Sequence, residues 1–431
     1  LEFPHPLSLP TSADLDASSI VARLGLNGVR VSVLGSSRAG RRIEMLSIGD
    51  GPRSALVIGA PHPNEPTGCL TILRMLAHFG IAAEFAGLGG WQWHFVPAID
   101  IDGVVLNEEW FSDSPDITRY LEHFFRPPFR LQPEYSFPIT LPEYSFTAET
   151  PESSCWREAL DIAKPDLQCS LHGADTGGAF FILSDTFPRL ADQLVGQPAE
   201  FGITLNEVGE PFAEMTMQRP GVFSFPSIPA MVGRGTEGSR WNAGDSSAGF
   251  AARNFGTFSM TCEVPLWRDA REGDLRPSGR TVGEVVAERI RLLQLDADLL
   301  TASLPLVRPR VETIQAQALL GSLDDALALS AGVIATLNRA RPRGSDDRPA
   351  LTGELVMAEP GTHGMRTPAM LRRLARATGV RTVEETAREM LDARLAAHRR
   401  CTRLLPVPLS AATGLQMEAI LTTARLMEDV G

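Results

Sequence analysis

Short apolar runs alternate with helically spaced segments up to about residue 300 of this chain. Runs at 29–34, 43–48 and 55–60 are apolar or alternating and are separated by Gly and Arg clusters, which predicts strands of one sheet. Residues 65–79 follow with helical spacing. Further strands are predicted at 91–98, 167–171, 179–183, 228–232 and 257–264, with helices near 152–163, 187–194 and 282–300. Such alternation predicts an α/β fold with a mixed sheet covered on both faces. Residues 107–150 resist assignment. They hold Pro-Glu-Tyr-Ser-Phe twice, at Pro133–Phe137 and Pro142–Phe146, read as a pair of aromatic-bearing extended loop segments.

Three regions follow: an irregular lead-in at 1–25, an α/β domain at 26–304, and an Ala/Leu/Arg-rich helical appendage at 305–431. The polar, Pro- and Gly-containing stretch 341–349 predicts a flexible connection inside the appendage. The appendage can cap the first domain, gate a site or pair subunits into a homo-oligomer, and the sequence leaves the three open.

Composition removes several function classes. A net charge of -12 argues against a nucleic-acid partner, which requires clustered positive charge. The chain has 39 arginines and one lysine, Lys164, whose Ala-Lys-Pro setting matches neither a P-loop, a pyridoxal site nor a kinase. Five cysteines without a C-x-x-C spacing indicate neither a disulfide framework nor a thiolate zinc site, and favour a reducing, cytoplasmic compartment. No apolar stretch of membrane-spanning length is evident, so no membrane partner is expected, and the first 20 residues lack a charged segment followed by an apolar run.

Chemistry concentrates at Pro61-His62-Pro63-Asn64-Glu65-Pro66, between a predicted buried strand and a helix. His62 and Glu65, three apart at a strand-to-helix turn, can point the same way and bind one metal, and imidazole with carboxylate suits Zn²⁺. A catalytic zinc needs a third protein ligand and a nearby acid/base. Among the remaining histidines His172 stands apart, because it ends an apolar strand and precedes the Gly173–Gly178 loop, where α/β sheets place ligands. Glu263, in Thr261-Cys262-Glu263-Val264, is a carboxylate inside an otherwise apolar strand, costly to bury unless it is used or paired with an arginine.

These residues resemble the zinc carboxypeptidases of the carboxypeptidase A type over about residues 30–300. Gly35-Ser36-Ser37-Arg38-Ala39-Gly40-Arg41-Arg42-Ile43 is similar to that family's entry motif, with Ala39 replacing Glu. The resemblance implies a mixed sheet of the eight-stranded type flanked by helices, His62, Glu65 and His172 as ligands of one Zn²⁺, and Glu263 as general base of the T-x-E motif. It places Arg119, in Asp116-Ile117-Thr118-Arg119-Tyr120, as reader of a substrate carboxylate, Trp241 where the family has a mobile Tyr, and Ala248 near the pocket floor. The family's second Arg, which polarises the scissile carbonyl, has no counterpart in Asn107-Glu108-Glu109-Trp110; Arg126, Arg130, Arg234 and Arg240 are candidates for its place. The His-x-Asn-Glu-Pro wording also looks like the aspartoacylase and succinylglutamate desuccinylase branch. The implied activity is zinc-dependent hydrolysis of an amide next to a carboxylate-bearing group on a small peptide or N-acyl amino acid; the alternatives are an aspartoacylase-like deacylase, a specialised small-molecule amidase, and a non-catalytic binding protein that keeps the fold.

Overall fold

The structure is a computed structural model that describes residues 7–81, 90–209, 215–233, 242–358 and 362–429. Its strands begin with β1 (Arg30–Ser36), β2 (Arg42–Ile48), β3 (Arg53–Ile58), β4 (Trp91–Val96), β5 (Ile139–Leu141) and β6 (Tyr144–Phe146). They continue with β7 (Leu167–Ala174), β8 (Phe180–Leu183), β9 (Thr216–Arg219), β10 (Val222–Ser224) and β11 (Phe258–Pro265). Strands β5 and β6 form a separate hairpin. The others make one 9-stranded mixed sheet in the order β1-β2-β4-β3-β7-β11-β8-β10-β9. At its centre β4, β3, β7 and β11 run parallel. Every residue of β7 is buried, as expected of a parallel strand covered on both faces.

Helices α1 (Ala17–Leu24), α2 (Thr67–Ile81), α3 (Ile101–Asn107), α4 (Ile117–His123), α5 (Pro151–Ala163), α6 (Pro188–Leu194), α7 (Gln197–Glu200), α8 (Ile228–Gly233) and α9 (Ser247–Phe255) belong to the sheet region. The start of α5 is set by Thr150, whose side chain accepts from the Ser153 N–H, and by Pro151 in the first turn. Its end is Lys164, the single lysine, in a left-handed conformation at φ 41 before Pro165. The 228–232 segment, expected as a strand, is α8: Pro229 lacks the N–H a ladder requires but fits a first helical turn. Strands β9 and β10, unanticipated, take the sheet beyond the eight-stranded type.

The C-terminal region holds α10 (Val282–Val307), α11 (Ile314–Ala340), α12 (Thr352–Ala358), α13 (Thr362–Thr378), α14 (Arg381–Cys401) and α15 (Leu409–Glu428). Residues of α10, α11, α13 and α14 form a second apolar core with Trp110, Tyr120, Phe124 and Trp267. Helix α15 instead returns to the sheet: Leu415, Ala419, Ile420 and Leu421 lie in the main core with Ile72 and Leu76 of α2. The 305–431 region therefore divides between two cores. The 341–349 connection is anchored, since Asp347 accepts from the Gly283 N–H (2.8 Å) and the Thr281 hydroxyl (3.0 Å) at the start of α10. Contrary to the reading that no apolar stretch of membrane-spanning length exists, α11 is by length and composition apolar enough to cross a bilayer; its Ala316, Leu319, Leu320 and Leu323 pack in the second core.

Candidate metal centre

Three parallel strands deliver the site at their C-terminal ends, where open α/β sheets leave a crevice. Beyond β3 the chain turns through Ala60, held at φ 47 although it carries a Cβ and is fully buried. Such a left-handed non-glycine residue is uncommon and marks a backbone held by its surroundings. His62 and Glu65 follow at once, just before α2. His172 lies on β7 and Glu263 on β11, paired in register as neighbours.

The polar atoms of these side chains converge. His62 Nδ1 is 3.0 Å from Glu65 Oε2, His172 Nδ1 is 3.2 Å from the same oxygen, and the two Nδ1 atoms are 3.1 Å apart. Tetrahedral zinc with bonds of 2.0–2.1 Å holds its ligands about 3.4 Å from one another, close to this spacing. Glu263 Oε1 stands 3.8 Å from His172 Nδ1, near the cluster yet outside hydrogen-bonding range of that atom.

Behind the imidazoles sits Glu134, a residue outside the expected site. Its Oε2 lies 3.0 Å from His172 Nε2 and 3.9 Å from His62 Nε2. Its Oε1 accepts from the hydroxyls of Ser170 (2.9 Å) and Ser247 (3.4 Å). Glu134 belongs to the first Pro-Glu-Tyr-Ser-Phe copy, which is thus part of the site rather than a plain loop segment. Tyr135 from the same copy stacks on Phe129, with ring centroids 4.5 Å apart, and lies parallel to His62. The second copy forms much of the β5–β6 hairpin.

Carboxylates on both sides polarise the site. Burial opposes charge on His172, but Glu134, then Glu65 and Glu263, outweigh it and push the imidazole pKa well up. Burial and the nearby Arg126 guanidinium pull His62 down to about 4. Glu65 is held well below the usual carboxylate range because His62 and Arg126 overcome the effect of burial. His172 Nε2 faces Glu134 and the Ser170 hydroxyl, and the Nδ1 atoms of both histidines face the Glu65 carboxylate. Three electron-rich atoms meeting at 3.0–3.2 Å fit a cation.

A cavity of about 210 Å³ opens onto these groups. Phe129, Tyr135, Phe180, Ile182, Phe225 and Met231 give it an apolar wall, while Arg126, Thr261 and Glu263 add polar atoms. Arg126 Nη1 donates to Glu65 Oε1 at 2.8 Å. The helical region holds this wall: Ser322 of α11 donates to the Arg126 carbonyl (2.6 Å), and Asp325 accepts from the Phe129 N–H (2.9 Å).

His62, Glu65, His172 and Glu263 are brought together, and of the candidate second arginines Arg126 joins them. Arg119 does not: it is exposed on α4, donating through Nε to the Glu109 carbonyl at 2.5 Å, and is not among the cavity-lining residues. The Asp116 carboxylate, which accepts from the Thr118 and Arg119 N–H groups, caps α4 and sets Arg119 in its first turn. Arg130 is likewise exposed. Ala248 is buried in α9 but does not line the cavity. Trp241, Arg234 and Arg240 lie outside the described residues.

Glu134 gives a direct test of this arrangement. Glu134→Gln is expected to weaken zinc binding about 10–100-fold, the usual effect of losing an outer carboxylate on a ligating histidine. Competition with a chromophoric chelator measures it.

No family model matches the chain, and no curated protein does. Among solved structures, it is similar to a Shewanella denitrificans protein assigned as a metallopeptidase, at 18% identity and a TM-score of 0.39, covering 59% of this chain and 82% of that one. It is similar to carboxypeptidase A from Helicoverpa armigera (15% identity, TM-score 0.41, 61% of this chain and 66% of that one). It is also similar to a metallo-carboxypeptidase from Burkholderia cenocepacia (17% identity, TM-score 0.33, 74% and 69%).

Proposed function

We propose that this protein is a zinc-dependent amide hydrolase. The observation that carries the reading is the meeting of two histidine Nδ1 atoms and the Glu65 carboxylate at 3.0–3.2 Å, with Glu134 behind the rings and Glu263 beside them. His62, Glu65 and His172 would hold the ion. A zinc ion bound by three protein ligands supplies Lewis-acid activation of water and of a carbonyl.

The remaining chemistry belongs to side chains. Glu263, 9% exposed at the end of β11, takes a proton from the attacking water and delivers it to the departing amine nitrogen. Arg126 fills the place of the missing second arginine. Its guanidinium, now on Glu65, is positioned on the cavity wall to donate to an oxygen that gains negative charge. Glu134 and Ser170 orient the His172 ring through Nε2. The apolar wall favours a substrate with an aliphatic or aromatic group beside the amide.

Arg126→Met is expected to lower kcat about 10²–10³-fold, the range for loss of one oxyanion donor, with zinc content unchanged. Unaltered turnover would remove Arg126 from the reaction. The reading as a whole is tested by a hydrolysis screen of zinc-loaded protein on peptides and N-acyl amino acids with apolar side chains. Turnover that a chelator stops and zinc restores is expected; absence of turnover on every amide overturns the assignment.

A further inference from the structure

The four site residues lie on the turn into α2, on β7 and on β11, and one side chain of α15 binds α2, β7 and β11 together. Gln416 of α15 is fully buried. Its Nε2 donates to the His172 carbonyl at 2.8 Å and to the Cys262 carbonyl at 3.2 Å. Its Oε1 accepts from the Thr71 hydroxyl of α2 at 2.6 Å. At His172 and Glu263 strands β7 and β11 pair in register, and the Gln416 amide binds carbonyls of both strands from outside that ladder. Cys262 directly precedes Glu263, and Thr71 lies one turn into the helix that Glu65 leads into.

We infer that Gln416 is a positioning residue, which fixes His172 and Glu263 relative to the His62–Glu65 turn from α15. The inference rests on the zinc reading above. It makes the C-terminal helix part of the site's architecture, through backbone atoms and with no contact to substrate. Methionine has similar length and apolar volume but cannot donate and is only a weak acceptor, so Gln416→Met removes these three hydrogen bonds while filling the space. Loss of this tie between the two strand ends and α2 allows them to shift, and small displacements at a reacting centre are costly: about 1 Å can cost 10²-fold.

The test uses the full chain with three changes: Gln416→Met, Thr71→Val, and Ile420→Ala as a control that opens a void in the core on the same helix. Zinc affinity is read by chelator competition, coordination by the visible spectrum of the cobalt-substituted protein, stability by thermal unfolding, and kcat and KM on the best substrate of the screen. Gln416→Met is expected to weaken zinc binding on the order of 10-fold, change the cobalt spectrum and lower kcat more than it changes KM. Thr71→Val should act in the same direction to a smaller extent. Ile420→Ala should lower the melting temperature and leave metal affinity and spectrum as in the wild type. If Gln416→Met and Thr71→Val also lower only the melting temperature, the positioning role is overturned while the zinc reading stands. If the wild-type protein binds no zinc, both fall together.

Discussion

Replacing Glu263 with Gln is expected to lower kcat by about 10²–10⁴-fold while zinc content and fold stay as in the wild type. The side chain keeps its size and loses its basicity, so the change isolates proton transfer. Glu263 sits in register with His172 on the adjacent parallel strand, and its Oε1 lies 3.8 Å from the histidine Nδ1. In the proposed arrangement Glu263 stands beside the ligands as base, while Glu65, His172 and Glu263 also lie close enough together to hold an ion. Steady-state kinetics on the zinc-loaded variant, with metal analysis on the same sample, check the result. Loss of zinc in the variant would show Glu263 to be a ligand instead, and retained turnover would assign the base elsewhere.

Arg366→Met is expected to destabilise the protein by about 3–5 kcal/mol, the cost of stranding one partner of a buried ion pair. Arg366 of α13 meets Asp175 at 2.8 Å, with side-chain exposures of 12% and 1%. Tyr120 completes a closed triangle: its hydroxyl donates to Asp175 (2.9 Å) and accepts from Arg366 (3.1 Å). The guanidinium also stacks over Phe124, 4.6 Å from the ring centroid. This cluster joins the helical core to the loop three residues past His172. Denaturant unfolding measures the loss, and adding Asp175→Asn to Arg366→Met should recover a large part of it, because the uncompensated charge is then gone. A loss under 1 kcal/mol would place the pair among weakly coupled surface contacts.

Much of the centre is legible in the sequence because its residues announce themselves locally. A histidine and a glutamate three apart after an apolar run, a histidine closing a second such run, and a glutamate inside a third each break an apolar pattern at a strand end. The sheet follows from the same runs. Glu134 is hidden for a physical reason: Pro-Glu-Tyr-Ser-Phe occurs twice, and one copy buries its glutamate behind the histidines while the other forms a hairpin. Identical pentapeptides carry no local signal of which will be used. Only the cost of burying a carboxylate among Pro, Tyr and Phe hints at a partner.

Arg119 shows the opposite failure. Asp116-Ile117-Thr118-Arg119 fits a substrate-binding segment, but the same letters fit a capped helix start, and capping prevails. The role of the C-terminal helices depends on contacts across hundreds of residues, such as Ser322 on the Arg126 carbonyl and Gln416 on the His172 carbonyl. Hydrophobic periodicity marks these segments as helices and says nothing of the polar side chains that reach the site.

Titration of the metal-stripped full chain with Zn²⁺, followed by metal analysis after gel filtration, measures the centre itself. One zinc retained per chain in the wild type, and loss of that ion in His172→Ala and Glu65→Ala, is the expected result. A wild-type chain that retains no zinc, or retains it equally after both replacements, contradicts the assignment of His62, Glu65 and His172 as a metal centre.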